Sequence, residues 1–426
     1  MVSKTNKEFP IFLLLKNKTL MIILTGGVIS NVGDAFFNLA VMWVIYEQSQ
    51  SVLQTALIGV IWHISGALFS PIAGALTDIV DRKKLLVSIH ISSGLVTLFC
   101  ATYVLINGYL PLWLAFTSVF ILNALSIFSS PIQSSLLPDL VSNKHLLSVA
   151  GILSTITGLS ALLGNMLAGS VIAYVGSGWA LSIDSITFFI VAFCISIAKI
   201  PKVQKAQSIQ ETANKISLFT SIVQGWEYIR EFNMLKSIVL LLLLLNLASF
   251  IGPLYPALVN DQLNGGPSIF GIMQGVSLLG GIVGGIVIGG IGKKFRPGYI
   301  TLLGWFIAGL CTAFIGISST IVLTMFLLFL RTFCITISSV SLYTLRMSLV
   351  SSQYRGRVDG LLQTFATIAI PISTISAGWF GDFIGVQILF IISGVWIILV
   401  SFLGFLLPYF REAQIPDTES SISASN

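Results

Sequence analysis

The sequence predicts an all-α membrane protein whose twelve transmembrane helices form two pseudo-symmetric bundles of six. Three observations carry that expectation. Of the 426 residues, 55% are hydrophobic and 9% are charged, against roughly one quarter charged in soluble domains. The apolar residues gather into about twelve runs, each near the ~20 residues that a helix needs to cross a bilayer. Every Lys and Arg except Arg331 falls in a gap between runs, and always in alternate gaps.

The runs lie near residues 19–46, 53–76, 85–106, 110–132, 146–174, 179–197, 238–259, 269–291, 299–317, 321–345, 361–380 and 386–407. In lipid every backbone polar group must be satisfied internally, which leaves helices or closed barrels. The length of the runs and their lack of strict alternation exclude a barrel. Basic residues precede the first run (Lys4, Lys16, Lys18), follow the second (Arg82, Lys83, Lys84) and follow the fourth (Lys144). They return at Lys199–Lys236, around Lys293, around Arg355 and at Arg411. Cytoplasmic loops retain Lys and Arg. Both termini are therefore expected on the cytoplasmic side of the cell membrane that the chain crosses.

Composition also excludes function classes. The net charge of +6 marks one face of a membrane rather than a nucleic-acid patch. No phosphate loop of the Gly-Lys-Ser/Thr type occurs, so no nucleotide is expected as partner. No His, Cys and Asp cluster has metal-ligand spacing, so no metal and no other cofactor is expected. Cys100, Cys194, Cys311 and Cys334 all sit in apolar runs and read as small buried hydrophobes. No chemistry of an enzyme is visible. The partner that composition implies is the lipid bilayer.

The domain organisation follows from the basic middle segment. A six-helix bundle is expected over 1–198, a cytoplasmic linker over 199–235, a second bundle over 236–410 and a disordered tail over 411–426. The linker ends in an amphipathic stretch, 222–235, with Trp226, Ile229 and Leu235 on its apolar side, expected to lie on the inner membrane surface. The halves repeat. Residues 140–176 align without gaps on 349–385, with Val149, Gly151, Ala168, Gly169 and Gly176 meeting Val358, Gly360, Ala377, Gly378 and Gly385. That pattern fits parallel repeats with a substrate site near mid-membrane between them.

After the second run comes Gly74-Ala-Leu76-Thr-Asp78-Ile-Val-Asp81-Arg82-Lys83-Lys84. It resembles the signature loop of the major facilitator superfamily, a Gly-x-Leu-x-Asp block followed by a basic cluster, with Asp81 replacing a glycine of the commonest form. The Asp-Arg-Lys variant is similar to the branch of proton-coupled drug and macrolide exporters, as are Gly225-Trp226-Glu-Tyr-Ile-Arg230, Ile183-Asp184-Ser-Ile-Thr-Phe188 and Arg355-Gly356-Arg357-Val358. The resemblance implies a cytoplasmic gate. Asp78 would sit against the inner start of the eleventh span, and Arg82 would pair with Asp139. The second-half counterpart, Gly289 to Arg296, lacks the acidic residue and is expected only to anchor topology. The fifth span carries Gly164-Asn165 where antiporters of the family have Gly-Pro, so small-residue packing is expected there without a kink.

The resemblance also implies that the first, fourth, seventh and tenth spans line a central cavity, and the polar residues fall on those spans. Asn31, Asp34 and Asn38 share one helical face by spacings of three and four. Asn123, Ser126, Ser130 and Gln133 do so on the fourth, Asn246, Ser249 and Pro253 on the seventh, and Thr324, Arg331 and Ser338 on the tenth. For the single Asn, Ser and Thr positions, hydrogen bonding between helices is an equal alternative. An ionised side chain facing lipid costs at least about 3 kcal/mol, so Asp34 and Arg331 are expected to face the cavity. Asp34 is the expected proton-coupling carboxylate, because its surroundings would alternate between wet and dry. Arg331 would pair with an acid or bind an anionic part of the cargo. Asp184 is expected in helix packing or capping, His63 and His90 in structural roles, and Trp43, Trp62 and Trp113 as interface anchors or cargo contacts.

These readings converge on a secondary active exporter of amphipathic small molecules in exchange for protons. The alternatives are a dedicated exporter of an endogenous metabolite such as a siderophore or small peptide, an uptake symporter, and a membrane scaffold or sensor without transport.

Overall fold

The computed structural model describes residues 18–77, 81–141, 143–198, 218–291, 296–351 and 354–411. Among the described residues twelve helices are long and apolar enough to cross a membrane. The first six are Lys18–Ser49, Val52–Thr77, Arg82–Asn107, Leu112–Leu140, Asn143–Val175 and Ser177–Ile197. The last five are Pro267–Ile291, Pro297–Ile317, Ile321–Leu349, Arg355–Ile384 and Val386–Leu406. Large apolar side chains point outward along them; Ile106 is 81% exposed and Phe383 72%. That outward apolar surface is what lipid requires and water would penalise.

The seventh span, Asn233–Gln262, is not the continuous helix its hydropathy predicts. A helix over Asn233–Asn246 gives way to 3-10 turns at Ser249–Leu254, one helical turn at Tyr255–Ala257 and a π turn at Leu258–Gln262. Pro253 and Pro256 lie within the break, where each removes a backbone donor. The carbonyls around the break are taken up by the twelfth span: Ser393 Oγ donates to Ala248 O at 3.0 Å, and Trp396 Nε1 to Leu244 O at 2.7 Å. Irregular backbone survives at membrane depth only when protein covers it in this way.

The internal repeat is visible in the backbone. Gly176, between the fifth and sixth spans, has φ +93°, and its aligned partner Gly385, between the eleventh and twelfth, has φ +83°. Only glycine takes such angles without steric cost, so one residue suffices to reverse the chain at both places. Gln50 and Asn264, after the first and seventh spans, also share a left-handed backbone, at φ 51° and 48°.

Two compact units result. Unit 1 holds the first span to Gln50, the chain from Ile61 through the sixth span, and Gly266–Gly275. Unit 2 holds Ser51–Val60, the chain from the linker to Gly265, and everything from Val276 onward. The second and eighth helices thus each contribute one end to one unit and the other end to the other.

Unit 1 is held by close helix crossings. On the third span Gly94 lies under the ring of Phe189 from the sixth, and the Ser185 hydroxyl donates to Gly94 O at 2.8 Å. Gly164 of the fifth span meets Val32 and Ala35 of the first. Asn165 donates to its own helix at Ala161 O, 2.8 Å away, and the fifth span runs as one helix. Further along, Gly169 abuts the start of the eighth span so closely that a Cβ there would lie 2.5 Å from Pro267 O. Asp81 caps the third helix by accepting from the backbone N–H groups of Lys83 and Lys84 at 3.0 and 3.2 Å. Lys83 Nζ donates to Ala198 O, just past the end of the sixth helix, at 2.9 Å. Both contacts place charge where helix ends favour it.

In unit 2 the ninth span packs on the tenth through Thr301 and Ser338, each hydroxyl reaching the other's carbonyl at 3.3 and 3.0 Å. Gly378, the repeat partner of Gly169, crosses the start of the second helix at Leu53 and Ala56. Asp382 then caps that helix: Val52 N–H donates to Oδ1 at 2.6 Å and the Ser51 hydroxyl to Oδ2 at 2.9 Å. Arg346 and Asp359 form an ion pair at 3.1 Å between the tenth and eleventh spans.

The amphipathic element is a helix over Leu218–Glu231, and its apolar face is docked on protein. Ile229 of this helix, and Leu235 at the start of the seventh span, are buried in the unit 2 core with Val358, Leu361, Leu362 and Phe410. The Tyr228 ring stacks on Tyr354 with centroids 4.8 Å apart, and Arg357 donates to Gln224 at 2.6 Å. The expectation of a helix resting on lipid is corrected here: the eleventh span offers that face a packed partner, and Trp226 stays partly exposed. Residues 199–217 of the expected linker and the tail from 412 lie outside the described residues.

Candidate functional site

The first, third, fourth and sixth spans, with Trp62 of the second, wall a cavity of about 340 Å3 inside unit 1. That volume is near the lower end for small-molecule sites, about 300–1,000 Å3. The first span presents Asn31, Asp34 and Asn38 to it, and the fourth presents Asn123, Ser126 and Ser130. The 3.6-residue period puts each set on one face, and packing against the third and sixth spans turns both faces inward. Phe37, Val119, Leu122 and Phe188 complete the wall. The result is an amphipathic chamber with hydroxyls, amides and a carboxylate at its surface.

Asp34 and Asn38 are exposed to this space, and Asn31 is half-buried with Nδ2 donating to Gly27 O at 2.6 Å. Asn123 spends its amide on the second span, donating to Trp62 O at 2.6 Å and to the Ser65 hydroxyl. Its position therefore serves helix packing as well as the cavity wall. Gln133 lies on the fourth helix, but its side chain is outside the described residues.

Five further polar residues line the same cavity: Ser30 on the first span, Ser129 on the fourth, Asp184 on the sixth, and His90 and Ser93 on the third. The sequence signal for Asp184 was the one that singled out Asp34, an acid inside a span. For the third span it was the spacing of His90, Ser93 and Thr97, three and four apart. Asp184 caps no helix, and its carboxylate has no hydrogen-bond partner. Trp62 lines the cavity too, with its ring 5.2 Å from that of His63. Trp43 is buried against Phe270 and Trp113 is exposed.

The candidates of the second half lie in unit 2. Asn246 donates to Leu242 O at 2.9 Å and accepts from the exposed Ser249 at 3.3 Å. Arg331 is half-buried; its Nε donates to the Thr312 hydroxyl of the ninth span at 3.0 Å. Among the described residues no carboxylate pairs with it. Thr324 and Ser338 are fully buried, with their hydroxyls bonded to Ser318 and to Thr301 O.

The loop motif is described only in part. Gly74 and Leu76 fall on the second helix, with side chains outside the described residues, and Asp78 lies outside them altogether. Asp139 is on the fourth helix with its side chain likewise outside, so the expected Arg82–Asp139 pair has no described geometry. Lys84 is exposed, and Lys83 reaches the sixth span as given above. Among the described residues no group of three metal-ligating side chains occurs. Three of the four cysteines are buried and all four are free.

With that geometry in view, the relatives of the chain can be placed beside it. The family model described as transmembrane secretion effector matches residues 11–425. Macrolide efflux protein A of Streptococcus pyogenes is 24% identical over 89% of this chain and 93% of its own length. Enterobactin exporter EntS of Escherichia coli O1:K1 is 24% identical over 60% of this chain and 63% of its own. Among solved structures, a point mutant of the nucleoside transporter NupG superposes with a TM-score of 0.76 at 12% identity, covering 92% of this chain and 99% of that one. That last likeness concerns the fold alone.

Proposed function

We propose a transport mechanism for a chain that belongs to the transmembrane secretion effector family, in the macrolide-efflux branch of the major facilitator superfamily. The chain is a multi-pass membrane exporter. Its cargo is an amphipathic small molecule of macrolide-like character, and it leaves the cell in exchange for protons by alternating access. The observation that carries this reading is the chamber in unit 1, where Asp34 stands exposed among amides, hydroxyls and aromatic rings.

Asp34 is the proton carrier. A carboxylate reached by water from one side and then the other can load a proton in one state and release it in the other. Asn31, Asn38, Ser126 and Ser130 supply hydrogen bonds to the cargo. Arg331, with part of its guanidinium held by Thr312, meets an anionic or carbonyl group of the cargo. The basic loops and both termini lie in the cytoplasm, and no cofactor beyond the proton gradient is invoked.

The test is export of a fluorescent macrolide from proteoliposomes carrying a pH-sensitive dye. Wild-type protein couples macrolide movement to proton movement, and Asp34→Asn loses at least tenfold of the coupled rate, about 1.4 kcal/mol of barrier. Full coupling in Asp34→Asn removes the carboxylate from the mechanism.

The similarity to EntS supports a second reading, a dedicated exporter of a siderophore-like metabolite. A deletion strain would then retain macrolide sensitivity unchanged and secrete less siderophore. A purified protein that moves neither proton nor solute would instead be a scaffold.

A further inference from the structure

We infer that Asp184 is the second half of a proton site: the carboxyl groups of Asp34 and Asp184 share one proton in the unit 1 cavity, whose wall includes His90. The inference deepens the export reading, on which its role in transport rests.

Asp184 has no exposed surface, and neither of its carboxylate oxygens has a hydrogen-bond partner. The Thr187 hydroxyl lies beside the carboxylate over Gly33, and it and the Ser185 hydroxyl both reach backbone carbonyls. Thr187 donates to the backbone carbonyl of Asp184 at 2.7 Å, and Ser185 donates to Gly94 O at 2.8 Å. Oδ1 lies over the backbone of Gly33, the residue next to Asp34; a Cβ on Gly33 would sit 2.7 Å from it. Both acids line one cavity, and among the described residues no Lys or Arg lines it with them. His90 is 4% exposed, and its Nδ1 has no partner either.

An ionised carboxylate without a donor is among the costliest groups to bury. A second anion facing the same cavity adds repulsion, and pairs of this kind titrate together rather than singly. The titratable groups on the surrounding helices do not relieve it. Among the titratable groups on the cavity wall, the first span offers Asp34 itself and the third offers His90. Among the described residues the fourth contributes Asn, Ser and apolar side chains to the wall. The missing charge is supplied by a proton held between the two acids. When cargo or water alters the cavity, that proton passes from a carboxyl oxygen to water, only an O–H bond breaks, and the pair takes one proton back from water on the other side. Asp34 is the exposed partner that exchanges with solvent, and Asp184 the dry partner that keeps the proton in place.

Infrared spectroscopy of the purified full-length protein in lipid nanodiscs reads this without any cargo. At neutral pH the wild type is expected to show the carbonyl stretch of a protonated carboxylic acid, shifted in heavy water. Asp184→Asn should abolish that band, Asp34→Asn should move it, and Asp184→Glu should restore it at a new position. A residue that only packs helices would leave the band unchanged in all three. Absence of the band from the wild type at neutral pH, or its persistence unaltered in Asp184→Asn, overturns the inference; if Asp184→Asn does not fold, an unmoved band in Asp184→Glu does so. The export reading fails separately, when wild-type proteoliposomes move no macrolide although the band is present.

Discussion

Gly33 shows how narrowly the site is drawn at the residue scale. Its missing side chain makes room for Asp184 and Thr187, so the first and sixth spans meet where Asp34 enters the cavity. Gly33→Ala would drive a methyl group into the Thr187 hydroxyl. We expect a loss of about 1–3 kcal/mol of stability, as for other overpacked sites, together with a fall in export. Thermal unfolding in detergent and macrolide efflux measure the two effects. Arg331 offers a sharper chemical test. Its planar fork holds Thr312 with one nitrogen and leaves the rest of the guanidinium for another partner. Arg331→Lys keeps the charge and loses the fork, so efflux should drop in Arg331→Lys and further in Arg331→Ala. Normal efflux in both would remove Arg331 from cargo binding.

At the scale of the element, charge is placed at helix ends. Asp81 caps the third helix in the position where the commonest loop motif has glycine, and Asp382 caps the second from the eleventh. The sequence showed Asp81 as a departure from a pattern; its capping function is local and readable, an acid two and three residues before the amides it serves. Asp382 could not be read that way, because its partners lie 331 and 330 residues away. Alanine at either position should cost about 0.5–2 kcal/mol, the usual loss for a cap, measured as a lowered midpoint of thermal unfolding. The broken seventh span has a similar history. Hydropathy marked its existence, and Pro253 and Pro256 were plain in the sequence. How the chain satisfies the freed carbonyls depended on Ser393 and Trp396 of the twelfth span.

For the whole molecule, the alternate-gap distribution of Lys and Arg gives the most direct prediction. The thiol of Lys84→Cys should react with a membrane-impermeant reagent only from the cytoplasmic side, and that of Asn107→Cys only from the outside. Labelling of both from one side would contradict the proposed orientation. The two compact units also explain why the repeat was legible. Residues that must be glycine for backbone reasons, Gly176 with Gly385, and for close crossings, Gly169 with Gly378, recur at one spacing because each half solves the same geometric problem. The docked helix over Leu218–Glu231 was legible as amphipathic but not as to its partner, since lipid and a protein groove ask for the same apolar face.

The sequence alone determined the twelve spans and the inward polar faces of the first and fourth, because hydropathy and the 3.6-residue period are properties of consecutive residues. Only the tertiary structure brought Asp184 and His90 to the cavity of Asp34, and turned the apolar face of the Leu218–Glu231 helix onto the eleventh span. Those outcomes depend on which helix packs against which and at what rotation. Side chains distant in the chain fix that choice together, and no single stretch of sequence encodes it.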